Sequence, residues 1–310
     1  MRQFTLTNPA GDRLTILEHG ASMQSWLVRL GNSQREIILG YTNTRQYLQD
    51  NCYLGAAVGP YANRIGGGVL PLGEQRYQLQ QNEGRHHLHG GSIGLHRLTW
   101  HCLQHHPSLL VLGCTVQDGQ GGYPGPLQFT VTYQLNADGS LDITLEAQSA
   151  QLTLAGPTLH PYFNLSGIAE PVNRHQLWLN AEQYTPTDND KIPTGALLSV
   201  DETALDFRHC KTIGTVLLDH NLVVNTNMQH PAAILTSPDQ QLRLLVSSDY
   251  PGLQVYSGDY LAVPFTPRQG ICLEPQFYPD APNHSQFPLR LTGPEQPFLA
   301  HICYQLERNT

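Results

Sequence analysis

No two cysteines in this chain are spaced Cys-x-x-Cys, no run approaches the ~20 apolar residues a membrane helix needs, and no stretch is rich in lysine or arginine. Each absence removes a class. The six cysteines, at 52, 102, 114, 210, 272 and 303, are scattered, so reduced and mostly buried thiols are expected rather than a disulfide framework or a zinc ribbon. With 17 basic against 25 acidic residues, a net charge of −8 and only 14% charged residues, the surface would repel a phosphate backbone, and nucleic acid is not an expected partner. Arg2, Asp12, Arg13, Glu18 and His19 leave no room for the apolar core of a signal peptide, so a cytoplasmic chain with no membrane partner is expected. No Gly-x-Ser-x-Gly elbow occurs. Gly66-Gly67-Gly68 is not followed by Lys and then Ser or Thr, so it reads as a strand-to-strand turn rather than a phosphate cradle. His86, His87 and His89, with His105-His106, lack zinc-type spacing; a solvated loop and no metal are expected there.

What is present is punctuation and alternation. The 28 glycines and 22 prolines are dispersed, cutting the chain into pieces too short for amphipathic helices except near Thr44 to Leu48 or Thr212 to Leu217. Leu127, Phe129, Val131, Tyr133 and Leu135 alternate with polar or small residues, Asn136-Ala137-Asp138-Gly139 supplies turn chemistry, and Leu141, Ile143, Leu145 and Ala147 alternate again. That pattern is a hairpin. Arg13 to Leu17, Trp26 to Leu30, Leu109 to Val116, Leu242 to Val246, Gln254 to Tyr256 and Ala300 to Leu306 also read as strands. No linker stands out, so residues 1–310 are expected to form one antiparallel all-β domain with few short helices; pattern alone leaves a sandwich or a barrel open.

One carboxylate sits inside an apolar, strand-like run, Ile271-Cys272-Leu273-Glu274-Pro275-Gln276. Flanked by Leu273 and Pro275, Glu274 should be partly desolvated, which raises its pKa toward the range of a general base. Leu159-His160-Pro161-Tyr162-Phe163-Asn164 offers a matching acid, since an imidazole titrates near neutrality. At the two-residue period of a strand, Cys272, Glu274 and Gln276 share one face, and His160, Tyr162 and Asn164 share another. Two strands with polar faces and apolar backs suggest a sheet-floored cleft, with acid and base converging on a hydroxylated ligand. Taken singly, each residue has a plainer reading. A Glu before Pro is usually a strand end, a lone His is usually structural, Arg64 would be an ion pair, and Asp219-His220 a turn or cap.

Several segments together resemble the aldose 1-epimerase (galactose mutarotase) family. They are Gly59-Pro60-Tyr61-Ala62-Asn63-Arg64-Ile65, Asn82 with Leu88-His89-Gly90-Gly91, Gly122-Tyr123-Pro124-Gly125, and His160-Pro161-Tyr162-Phe163-Asn164-Leu165. Asp219-His220-Asn221, Gln254-Val255-Tyr256-Ser257-Gly258 and the Glu274 segment follow in the family's order. The resemblance implies a large antiparallel β-sandwich with a sugar cleft on one sheet. It also implies that Glu274 is the base at the C1 hydroxyl of an aldose and His160 the acid at the ring oxygen, with both needing only mild upward tuning of their pKa values. His89 would share the acid role or orient the sugar, and Asn63, Arg64, Tyr162, Asp219 and Gln254 would bind it. No cofactor is implied, and the chain would be a monomer or a homodimer acting on a small-molecule aldose.

Departures from the family pattern are Pro60, Pro161, Leu95-His96 and a short stretch between Leu261 and Ile271. None removes an acid or a base. Three rivals to the epimerase reading are a non-catalytic sugar-binding module, a glycoside hydrolase using Asp219 and Glu274, and a hexose-phosphate epimerase. Retention of both Glu274 and His160 disfavours the first. The resemblance gives Asp219 a binding role, against the second, and only Arg64 among the matched positions is basic, against the third.

Overall fold

The computed structural model describes residues 1–167, 170–225 and 228–309. Leu127–Leu135 pairs antiparallel with Ser140–Ser149, in the register Phe129↔Ala147, Val131↔Leu145, Tyr133↔Ile143 and Leu135↔Leu141. All of these paired residues are buried. Each such apolar cross-strand pair contributes roughly 0.2–1 kcal/mol over a pair of alanines. The turn closes with Asn136 N donating to Ser140 O at 2.8 Å and with Gly139 at φ +87°, a conformation that favours glycine.

Among the described residues this hairpin belongs to a nine-stranded antiparallel sheet that also holds His101–His106, Leu109–Val116, Phe298–Arg308 and Leu242–Ser248. A six-stranded sheet runs, in spatial order, Tyr162–Phe163, Ile271–Gln276, Gly252–Tyr256, Asp219–Val224, Ala181–Tyr184 and Leu198–Ser199. Its apolar back meets the larger sheet. Ile271, Leu273, Leu253 and Val255 share one core with Ile143, Val246 and Tyr304, and the Tyr304 hydroxyl donates to Leu273 O at 3.3 Å. Cys272, the residue between Ile271 and Leu273, belongs instead to a second, smaller core with Tyr162, Leu261 and Phe265. The strand's alternation therefore sends odd positions into the sandwich and even positions toward its other side.

The strands read from the sequence are all present. Arg13–Leu17 and Leu109–Val116 keep the expected bounds, and Met23–Leu30, Gly252–Tyr256 and Phe298–Arg308 extend theirs. The helix expectations fare less well. Thr44–Gln49 is a 3₁₀ segment started by the Asn43 side chain, which accepts from Arg45 N. Thr212 to Leu217 is not helical. Lys211–Thr212 pairs as an edge strand with Gln176–Leu177, and the N–H groups of Ile213 and Gly214 donate to His175 O and Asn173 O. Those partners compete with helical bonding in a stretch that already carries Gly214 and β-branched residues. Gly66–Gly68 links Arg64–Ile65 to Val69–Leu72, as the turn reading requires. Among the described residues no helix is long and apolar enough to cross a membrane.

Candidate active site

Three neighbouring strands of the smaller sheet present three polar side chains in a row. Glu274 lies opposite Gln254 in the ladder, and Gln254 lies opposite Asn221, two residues beyond Asp219. Gln254 Nε2 donates to Asp219 Oδ1 at 2.9 Å. The row floors a cleft of about 340 Å³, and Asn63, Arg64, His89, His160, Tyr162, Asp219, Gln254 and Glu274 all line it. The eight residues singled out in the sequence thus meet in one place, across more than 200 positions of chain.

His160 and Glu274 form the most deeply buried acid–base pair lining the cleft, with Nε2 3.6 Å from Oε1. They are 5% and 2% exposed, so neither is screened by bulk water. Burial, then the Asp219 charge, raises the Glu274 pKa well above the ordinary carboxylate range. Glu274 Oε2 has no hydrogen-bond partner in the protein. Burial lowers His160 to about 4, opposite to the upward tuning expected from the sequence, because taking an imidazole out of water disfavours its cation. The Cys272 thiol sits 3.4 Å from His160 Nδ1, and burial pushes that thiol up.

His160 does not share a strand with Tyr162 and Asn164. Pro161 cannot donate to a ladder, and regular pairing resumes only at Tyr162–Phe163. His160 is held instead by its own backbone, its N–H donating to Ala56 O at 2.9 Å and its carbonyl accepting from Gly55 N at 3.0 Å. Asn164 faces a different cavity and donates to Gln269 O and Glu170 O. Gln276, placed on the face of Glu274 by alternation, is buried but does not line the cleft.

His89 Nδ1 accepts from Asn63 N at 3.1 Å, which leaves the ring proton on Nε2. Burial first, then neighbouring His160 and Arg64, lowers its pKa well below the usual value, so it is a neutral donor. Gly90 is required beside it. At φ +87° an added Cβ would lie 1.8 Å from Gly59 O, so the backbone that approaches this glycine is the chain's own. The expected solvated histidine loop is also overturned. His86, His87 and His89 are buried, and His87 is locked between Gln80 O at 2.6 Å and the Tyr123 hydroxyl at 2.8 Å.

Arg64 is both an ion pair and a cleft residue. Its Nη2 donates to Glu83 Oε1 at 2.8 Å, and Nε lies 2.7 Å from Oε2. Glu83, Lys191, Tyr53 and Tyr260 line the same cleft and were not found from the sequence. Lys191 pairs with Asp219 Oδ2 at 2.7 Å and lies 4.6 Å from the Tyr260 ring centroid, joining two rim segments. The Tyr53 ring packs 4.7 Å from His89 and 5.7 Å from His160. The Tyr162 ring is 5.1 Å from His160, while its hydroxyl donates to Cys52 O at 3.0 Å. Tyr53, Asn63, His89 and Lys191 all have positive φ. Such strain gathers where the surrounding fold over-determines a functional geometry.

A buried imidazole–carboxylate pair beside a row of amide, carboxylate and guanidinium groups, on the face of a β-sandwich, is chemically suited to proton transfer on a polyhydroxylated molecule. The chain belongs to the aldose 1-epimerase family, a family of isomerases, whose model matches residues 2–305. It is 36% identical to the aldose 1-epimerase of Haemophilus influenzae, over 92% of this chain and 88% of that protein. It is 33% identical to the human galactose mutarotase, over 92% and 88%. Among solved structures, the GalM/aldose epimerase homologue from C. elegans superposes with a TM-score of 0.95 at 27% identity, covering 100% of this chain and 99% of that one. The galactose 1-epimerase from Lactobacillus acidophilus gives 0.88 at 30% identity, covering 99% and 94%. The fold is the large antiparallel sandwich of galactose mutarotase-like proteins.

Proposed function

We propose that the chain is an aldose 1-epimerase that interconverts the α and β anomers of free hexoses such as glucose or galactose. The observation that carries this reading is the 3.6 Å approach of His160 Nε2 to Glu274 Oε1 inside a cleft lined by Arg64, Asp219 and Gln254. Glu274 takes the proton of the C1 hydroxyl while His160 gives one to the ring oxygen. The C1–O5 bond breaks to an aldehyde, C1 turns about C1–C2, and reclosure on the other face returns both protons. Each positioned acid or base contributes about 10²–10⁴-fold.

The pair needs one proton between its two members. Burial favours the neutral arrangement, a carboxyl at 274 and an unprotonated imidazole at 160. A sugar hydroxyl donating to Glu274 Oε2, the atom without a partner, favours the carboxylate and moves the proton to His160. Asp219 and Gln254 accept from and donate to ring hydroxyls, Arg64 donates to oxygens of the opened chain, and His89 Nε2–H orients the substrate. The ring of Tyr162 packs on the sugar's C–H face.

Both cations in the cleft are already paired, Arg64 with Glu83 and Lys191 with Asp219, which favours a neutral sugar over a sugar phosphate. Keeping a desolvated carboxylate beside an imidazole favours catalysis over mere sugar binding. We read the chain as cytoplasmic, in keeping with six unpaired cysteines, and as a monomer or a homodimer. Polarimetry tests the activity. The purified chain should accelerate the optical-rotation drift of freshly dissolved α-glucose or α-galactose without added metal, and unchanged drift with several aldoses overturns it.

A further inference from the structure

We propose that His160, Cys272 and Glu274 form a binding site for one thiophilic divalent ion of the Zn²⁺ type, and that the ion excludes the aldose. One ring nitrogen, the Sγ and one carboxylate oxygen lie within 4.8 Å of one another. In tetrahedral zinc sites, bonds of about 2.0–2.3 Å place ligand atoms roughly 3–4 Å apart. Sγ lies 3.4 Å from His160 Nδ1 and Oε1 3.6 Å from Nε2, so the imidazole or one partner must turn until both face the nitrogen that the ion uses. Cys272 and Glu274 are two apart on the strand Ile271–Gln276, so they project to one side of it. The main chain that carries the third ligand is fixed, because both backbone groups of His160 are hydrogen-bonded.

The donor set fits the ion. A neutral imidazole, a thiolate and a carboxylate balance a 2+ charge, and nitrogen with sulfur selects zinc over magnesium or calcium. An independent observation points to a ligand here. Glu274 lines the cleft and is 2% exposed, yet its Oε2 has no protein partner. His160 and Glu274 line the cleft, which is the entry path, and Cys272 is fully buried beside them. Binding displaces two protons to solvent, one from the Cys272 thiol and one from the Glu274 carboxyl, and no redox step is involved. The ion occupies the imidazole and carboxylate that hand protons to the sugar, so it is an inhibitor and not a cofactor; this second half rests on the proposed epimerase reading.

The test uses the whole chain, stripped of metal with a chelator, and Co²⁺ as a coloured stand-in for Zn²⁺. One equivalent of Co²⁺ should give a sulfur-to-cobalt charge-transfer band, which Zn²⁺ bleaches. The band should vanish in Cys272→Ser and persist in Cys52→Ser, which removes the one thiol among the residues that line the cleft. X-ray absorption on the zinc-loaded native chain needs no variant, and should show one sulfur at about 2.3 Å with nitrogen and oxygen at about 2.0–2.1 Å. Galactose at ten times its own Kd should weaken Zn²⁺ binding about tenfold. A shell of nitrogen and oxygen only, a band that survives Cys272→Ser, or zinc affinity indifferent to sugar overturns the proposal. A chain that epimerises aldoses without the thiolate band sinks the metal site alone; one that shows the band but leaves optical rotation unchanged sinks the epimerase reading alone.

Discussion

Glu36 and Glu274 are both withdrawn from water beside a cavity, and of the two Glu274 is left wanting. Glu36 borders a cavity of about 470 Å³, larger than the cleft of about 340 Å³ beside Glu274. Burial raises both pKa values. Glu36 accepts from the Ser25 hydroxyl and from Trp26 N at 2.6 Å, with Ile38 N at 3.4 Å. The amides around it are likewise engaged, Gln3 Nε2 donating to Gln24 Oε1 at 2.6 Å and Gln24 Nε2 to Tyr41 O at 2.9 Å. Glu274 has an imidazole at 3.6 Å and one oxygen with nothing. Cavity size and a raised pKa are therefore poor guides by themselves. A buried charge whose hydrogen bonding is incomplete marks the site, because the deficit is what a ligand repairs.

The largest expected effect separates the two carboxylates. Glu274→Gln should lower kcat by about 10²–10⁴-fold while sugar binding persists, and Glu36→Gln should leave kcat within about twofold. Polarimetry with equilibrium sugar titration measures both. Similar losses in the two variants would dissolve the distinction. His160→Asn should cost about 10²–10³-fold alone, and adding it to Glu274→Gln should cost much less than the product of the single losses, since the pair moves one proton as a unit.

Stability against pH sharpens the comparison further. Glu274 has a folded pKa above its unfolded value of 4.5, so the native state holds the proton more tightly and stability falls as pH rises between the two values. Glu274→Gln should therefore be more stable than the parent at neutral pH, with the gap closing below pH ~4.5, as read by denaturant midpoints. Histidines act in the opposite direction. His160 and His175, each lowered from 6.5 to about 4, make stability fall as pH drops from 6.5 toward 4. Glu36→Gln should cost only about 1 kcal/mol, because a glutamine can still accept from Trp26 N.

The smallest effect concerns the rim. Lys191→Met removes a partly exposed pair with Asp219 and the contact with Tyr260. KM should rise about 3- to 10-fold with kcat unchanged, the signature of lost binding common to ground and transition states. A fall in kcat instead would place Lys191 in the chemistry.

Strand alternation carried most of the fold, because a period of two survives in a single sequence. The hairpin from Leu127 to Ala147 and the Glu274 strand could be read that way. The cleft's members could be read only as separate segments, and the resemblance supplied their meeting. Glu83, Lys191 and Tyr53 stayed hidden because their roles come from partners far along the chain: Arg64 at 19 residues' separation and Asp219 at 28. The state of His160 was misjudged because sequence shows its neighbours in chain and not its burial. His86 and His87 were read as solvated for the same reason, since polar residue types hid a packed interior.

The row of Glu274, Gln254 and Asp219 depends on strand register. Sliding the central strand by a single residue would point Leu253 or Val255 at the sugar and drive the amide into the sandwich interior. Point substitutions can retune this site one side chain at a time, whereas a one-codon insertion within any of the three strands would invert its wiring. Natural length variation in such proteins should accordingly be confined to the connections between strands.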